Sequence, residues 1–260
     1  MNFQDKLDKA VFANNSLVCI GLDPDFTKLK KGQSQFEFNK TIIDQTAGLV
    51  CAFKPQIAFY AAAGLKGLED LKKTITYIHE NYQNVPVILD AKRGDVGHTS
   101  EMYAKEVFDV YGSDAVTVSP YCGFDSIEPF FKRRDKGVIV LCRTSNPSAA
   151  DLQDLKVDGK PLFIKVARKV VDWDKKYKNL LMVMGATYPN EMKKIRKIAP
   201  KMTFLVPGVG SQSGDLQNTL KNGLRKNGTG LIISSSRGII YAQDSKLAAL
   251  ELKDEINKFR

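Results

Sequence analysis

Short uninterrupted apolar runs recur along the chain: Leu17–Asp23, Val50–Lys54, Val85–Leu89, Asp114–Val118, Gly137–Cys142, Leu180–Gly185, Thr203–Pro207 and Gly230–Ser234. Runs this short and this rich in Val, Ile and Leu read as strands buried on both faces. The longer stretches between them space their apolar residues every three or four positions. Those from Phe36 to Leu49, Leu68 to Tyr82, Leu162 to Tyr177 and Ser245 to Lys258 read as helices with one buried stripe. Strand and helix alternating in this way predict a parallel sheet, and eight such units in 260 residues favour a closed (β/α)8 barrel over an open doubly wound sheet. No linker rich in Pro, Gly or Ser divides the chain, so residues 1–260 read as a single barrel domain.

Barrels of this kind carry their chemistry at the C-terminal ends of the strands. Here those ends are ionic. Asp23 ends the first strand, Lys54 the second, and Asp90-Ala91-Lys92-Arg93-Gly94-Asp95 follows the third. Side chains alternate along a strand, so Asp90 and Lys92 are expected to point to the same side. Thr99-Ser100, before Glu101, reads as a helix start. Taken alone, Asp90 and Lys92 fit a strand-end ion pair as well as a reactive group. A barrel built only for stability has no need of charges gathered on one rim, so the coincidence of position says more than the pair.

Composition narrows the options. Hydrophobic residues make up 43% of the chain and charged residues 26%, an ordinary balance for a water-soluble protein. The net charge of +10 reads first as a lysine-rich solvated surface, and it would also steer a phosphorylated substrate inward. The lysines are dispersed and no basic–aromatic motif accompanies them, so nucleic acid is not an expected partner. No signal peptide or membrane-length apolar span is seen. Cys19, Cys51, Cys122 and Cys142 form no CxxC pair, and three of them lie in apolar runs. They read as reduced thiols of a cytoplasmic protein, not as disulfides or zinc ligands. His79 and His98 are the only histidines, and neither belongs to a triad-like pattern. Carboxylates and lysines must therefore carry any catalysis.

The last two strands add an anion site. Pro207-Gly208-Val209-Gly210-Ser211-Gln212 opens a glycine-rich loop after the seventh, and Ser234-Ser235-Ser236-Arg237-Gly238 follows the eighth. Loops at these two positions are the usual phosphate site of the architecture, where backbone N–H groups cradle the anion and an arginine pairs with it. The polar connection from Ser148 to Lys160 suggests no function.

Five segments together carry a resemblance. They are Phe53-Lys54-Pro55-Gln56, Asp90-Ala91-Lys92-Arg93-Gly94-Asp95-Val96 with Thr99, Arg143-Thr144-Ser145-Asn146-Pro147, Leu205-Val206-Pro207-Gly208-Val209-Gly210 with Gln212, and Ser235-Ser236-Arg237-Gly238-Ile239-Ile240-Tyr241. In this order they resemble the orotidine 5′-phosphate decarboxylase family, in its longer-form branch, from Leu17 to Ala242. The Asp-x-Lys-x-x-Asp motif also occurs in related sugar-phosphate enzymes; a lysine ending strand two makes the match more specific. The resemblance implies cofactor-free decarboxylation of orotidine 5′-monophosphate. Lys54, Asp90, Lys92 and Asp95 would form a charged network, with Lys92 as proton donor. Asp23 and Lys54 would contact the ribose and Ser145 the pyrimidine amide edge. Gln212 would close over phosphate and base, and Pro207, Ser236, Arg237 and Gly238 would surround the phosphate. Asp95 and Thr99 would reach the partner's site in a homodimer. The alternatives are a magnesium-dependent sugar-phosphate aldolase or decarboxylase on the same barrel, which would want an acid where Lys54 stands, and a basic RNA-binding protein without an ordered rim.

Overall fold

The computed structural model describes residues 1–209 and 215–260. Its strands in chain order are β1 (Val18–Gly21), β2 (Ala52–Lys54), β3 (Ile88–Arg93), β4 (Ala115–Val118), β5 (Gly137–Arg143), β6 (Lys156–Val157), β7 (Lys160–Pro161), β8 (Leu180–Met184), β9 (Phe204–Val206) and β10 (Leu231–Ser235). Eight of them form one parallel sheet in the order β2-β1-β10-β9-β8-β5-β4-β3. Each of the eight apolar runs read from the sequence supplies one of these strands. The two ends of the sheet meet through isolated bridges, Phe53 to Val87 and Gln56 to Asp90, which bring the sheet round into a nearly closed barrel. The strands are so thoroughly apolar because both faces are covered, by helices outside and by the barrel interior within.

The helix Phe3–Ala13 lies across the N-terminal end of the barrel and buries Phe3, Leu7 and Val11. A Cβ added to Gly137, the first residue of β5, would overlap the Phe3 ring, so this position needs glycine for the helix to seat. Burying a phenylalanine here stabilises the closure by about 2 kcal/mol.

One local expectation is corrected. The helix after β3 begins at Gly97, not at Thr99-Ser100, and no side chain caps it. Gly97 has φ +51°, a left-handed conformation that glycine adopts freely, so it turns the chain directly into the helix. The polar connection Ser148–Lys160 carries structure of its own. It contains the short helix Ala150–Gln153 and the β6–β7 hairpin, which leads into the helix Leu162–Tyr177.

Candidate active site

The C-terminal rim is built around Asp90. Its carboxylate lies 2.7 Å from the Lys92 ammonium through Oδ1 and 3.3 Å from the Lys54 ammonium through Oδ2. The Thr117 hydroxyl, from β4, donates to Oδ1 at 2.7 Å. The same hydroxyl oxygen accepts from the backbone N–H groups of Ala91 and Lys92, both at 3.0 Å. Thr117 thus takes the place of a ladder partner where the β3–β4 register shifts between Leu89 and Arg93.

Regular alternation does not by itself account for the meeting of Asp90 and Lys92. Lys92 has φ +48°, which for a residue with a Cβ is strained. The shifted register, held by Thr117, carries Lys92 over Asp90. Gly94 then passes close to β4, since a Cβ there would come within 2.5 Å of the Ser119 carbonyl oxygen.

The three charged groups differ in exposure. The Lys54 side chain is 7% exposed, that of Asp90 13%, and that of Lys92 47%. Burial pulls the Lys54 ammonium towards neutrality, but the charges of Asp23 and Asp90 outweigh it and hold its pKa above the ordinary lysine value. Burial also opposes ionisation of Asp90. Lys54, Lys92 and the Thr117 hydroxyl overcome that penalty and hold the carboxyl well below the usual range. The rim therefore keeps a buried carboxylate and a buried ammonium ionised, with a second ammonium reaching towards solvent.

Asp23 accepts a hydrogen bond from the Gln56 backbone N–H at 2.9 Å, which ties the end of β1 to the end of β2. Behind it, the Tyr60 hydroxyl donates to the Leu22 carbonyl at 2.6 Å and accepts from Asn39 at 2.8 Å, fixing the backbone that carries Asp23. Ser236 donates to the Gly21 carbonyl at 2.9 Å, so the segment after β10 is joined to β1. Arg237 and Gly238 follow on the exposed start of a short helix, Arg237–Ile240. Ser145 lies just beyond β5, and its carbonyl accepts from the Thr187 hydroxyl at 3.1 Å. Pro207 follows β9 directly. Gln212 falls outside the described residues.

Asp95 stands apart from the ion pairs. Its carboxylate accepts from the Val96 backbone N–H at 2.7 Å, and no ion pair to it is found among the described residues. Thr99 is exposed in the first turn of the helix that starts at Gly97. Sequence reasoning missed Thr117. The available signal was its position as the one polar residue in the run Ala115-Val116-Thr117-Val118, in the strand next to β3. It also passed over Gln153, whose amide bonds Arg143 and Thr144.

Known proteins match this arrangement over the whole chain. A protein named orotidine 5′-phosphate decarboxylase, from Cellvibrio japonicus, is 50% identical over 274 residues, covering 100% of both sequences. The structure of Leishmania donovani OMP decarboxylase superposes with a TM-score of 0.90 at 38% identity, covering 100% of this chain and 98% of that one. The UMP synthase of the same organism superposes with a TM-score of 0.92 at 39% identity, and the chain spans 56% of its length. The model of the orotidine 5′-phosphate decarboxylase / HUMPS family matches residues 16–252, and with these relatives it establishes that the chain belongs to that family.

Proposed function

We propose that the chain converts orotidine 5′-monophosphate to uridine 5′-monophosphate and carbon dioxide, with Lys92 as proton donor and without a metal or organic cofactor. The observation that carries this reading is the Lys54–Asp90–Lys92 chain of charge at the barrel mouth. Breaking the bond from C6 of the pyrimidine to the carboxylate leaves an electron pair in an sp2 orbital in the plane of the ring. The ring offers no carbonyl sink for that pair, so the protein must set positive charge beside it and then deliver a proton.

Lys92 has the attributes for both tasks. Its ammonium is oriented by Asp90 at 2.7 Å, and its half-exposed position lets it recover a proton from solvent after each turnover. Asp90 is held by Lys54 and Thr117, so it cannot swing away as the substrate carboxylate arrives beside it. Proton and electron pair balance: C6 loses carbon dioxide, gains the Lys92 proton, and the lysine is reprotonated.

The other roles are those that the resemblance to the family implies. Asp23 and Lys54 meet the ribose hydroxyls, and Ser145 reads the amide edge of the base. Pro207, Ser236, Arg237 and Gly238 surround the phosphate, with Gln212 closing from the loop after β9. Binding energy from the phosphate is spent on lowering the barrier at C6. Asp95 and Thr99 serve the site of a second copy in a homodimer. Nearby exposed apolar side chains support such an interface, with Val96 61% and Met102 40% exposed. The chain acts as one domain in the cytoplasm, and its buried free thiols of Cys19, Cys51 and Cys142 suit that compartment. Lys54 disfavours the magnesium-dependent reading, because it puts a cation where that chemistry wants a carboxylate.

The test follows the ultraviolet absorbance of orotidine 5′-monophosphate with EDTA present. The expected result is a decline to the spectrum of the uridine nucleotide. Unchanged absorbance with folded protein sinks the proposal, and activity abolished by EDTA turns it towards the metal-dependent enzyme. For the dimer, mixing Lys92→Ala with Asp95→Ala is expected to restore part of the activity that each lacks alone.

A further inference from the structure

The short helix Ala150–Gln153 has no part in the chemistry above, yet it holds the end of β5. Arg143, the last residue of β5, is 1% exposed. Its guanidinium lies 3.7 Å from the centroid of the Tyr188 ring and donates to Gln153 Oε1 at 3.2 Å and to Asp154 Oδ2 at 3.1 Å. The same Gln153 Oε1 accepts from the Thr144 backbone N–H at 2.9 Å, and Gln153 Nε2 donates to the Thr144 hydroxyl at 2.9 Å. That hydroxyl in turn donates to Asn146 Oδ1 at 2.8 Å. One amide thus fixes the residues on both sides of Ser145. From the opposite side, the Thr187 hydroxyl holds the Ser145 carbonyl, and Gly185 leaves the room. A Cβ at Gly185 would come within 2.7 Å of the Ser145 Cα.

We propose that Gln153 is a positioning residue that sets the Ser145 hydroxyl for the amide edge of the pyrimidine. This rests on the reading of Ser145 given above. A hydroxyl recognises a base only within the few tenths of an ångström that a good hydrogen bond allows, so the backbone carrying it must not drift. Gln153 supplies an acceptor and a donor to Thr144 at once. A glutamate in its place would still accept from Arg143 and from the Thr144 N–H, and would take the proton of the Thr144 hydroxyl, with the Asn146 amide turned to donate its Nδ2–H to the hydroxyl oxygen instead. An alanine would do neither.

The experiment compares competitive inhibition by uridine 5′-monophosphate, which carries the base, with inhibition by ribose 5-phosphate, which lacks it. Gln153→Ala is expected to weaken the nucleotide about tenfold while changing ribose 5-phosphate less than about twofold, the loss of one well-placed hydrogen bond. Gln153→Glu is expected to recover most of the nucleotide affinity. Ser145→Ala is expected to show the same base-selective loss. Equal weakening of both ligands in Gln153→Ala, or no weakening of either, overturns the positioning role when Ser145→Ala is base-selective. A Ser145→Ala protein without base selectivity overturns the reading of Ser145, and the role of Gln153 with it. Should Gln153→Ala not fold, Gln153→Met keeps the length, removes both polar atoms and carries the same comparison.

Discussion

Each end of the barrel buries one aspartate between two basic groups. At the C-terminal rim Asp90 holds Lys54 and Lys92. At the N-terminal end Asp114 holds Lys6 at 3.0 Å and His79 at 3.0 Å. The similarity ends there. Asp114 also accepts from the Val87 backbone N–H at 2.8 Å, and Lys6 is only 14% exposed. All its partners tie elements together: the first helix, the helix Gly64–Asn81, and the strand entry at Val87. Asp90 holds one partner that is buried and one that reaches solvent from a strained backbone. An ion cluster becomes a candidate site when one member is left accessible and held in an unfavourable conformation, which a purely structural cluster would relax. Charge content alone does not separate the two ends.

The largest effect expected from breaking this contrast is on Lys92. Lys92→Ala should lower turnover by about four decades, the combined scale of a lost acid and a lost charge. Thermal unfolding should barely move, because the side chain is half exposed. Single-turnover absorbance and melting curves measure the two; turnover within tenfold of the parent would end the assigned role.

Asp114→Ala should do the reverse. It leaves Lys6 and the Val87 N–H without their acceptor and should cost roughly 3 kcal/mol in denaturant unfolding, with kcat unchanged. A drop in kcat without loss of stability would contradict the division between the two ends.

Acid sharpens the same point. Burial raises the Asp114 pKa, but the His79 hydrogen bond and the Lys6 charge outweigh it and bring the pKa down to about 2. Because the folded value lies below the unfolded one, the stability this provides is present above about pH 4 and lost as pH falls through about 2. It amounts to about 2 kcal/mol. Asp114→Asn should therefore show a shallower acid limb than the parent in denaturant midpoints taken from pH 5 downwards. Identical limbs would sink the assignment. The smallest expected effect is that of Thr117→Val, which removes the hydroxyl that orders Asp90 and Lys92 and should slow turnover about tenfold through misplacement of the acid.

The strands and the ionic rim were legible because burial on both faces leaves uninterrupted runs of Val, Ile and Leu, and the first three of these stop where charge begins. Asp23, Lys54 and Asp90 could be placed by that break alone. The left-handed backbone at Lys92 was not legible, since the strain is imposed by Thr117 across a shifted register, a contact between strands. Gln153 was hidden for a similar reason: it lies in a polar connection whose meaning comes from the Arg143 and Thr144 groups it meets in space. The helix start was misplaced because Thr99 and Ser100 look like caps, whereas Gly97 begins the helix through backbone freedom that a glycine does not advertise. The pairing of His79 with Asp114 was hidden in the same way, since the two lie 35 positions apart in the chain.

Among the described residues, the first and last members of the sheet order are joined along the backbone only by the isolated bridges at Phe53 and Gln56, so the β2–β3 seam is the thinnest stitching of the cylinder. Lys54 and Asp90 face each other across it. Any breathing of the barrel that starts at this seam pulls apart the pair on which Lys92 depends, so catalytic competence is surrendered before the remaining strands unzip.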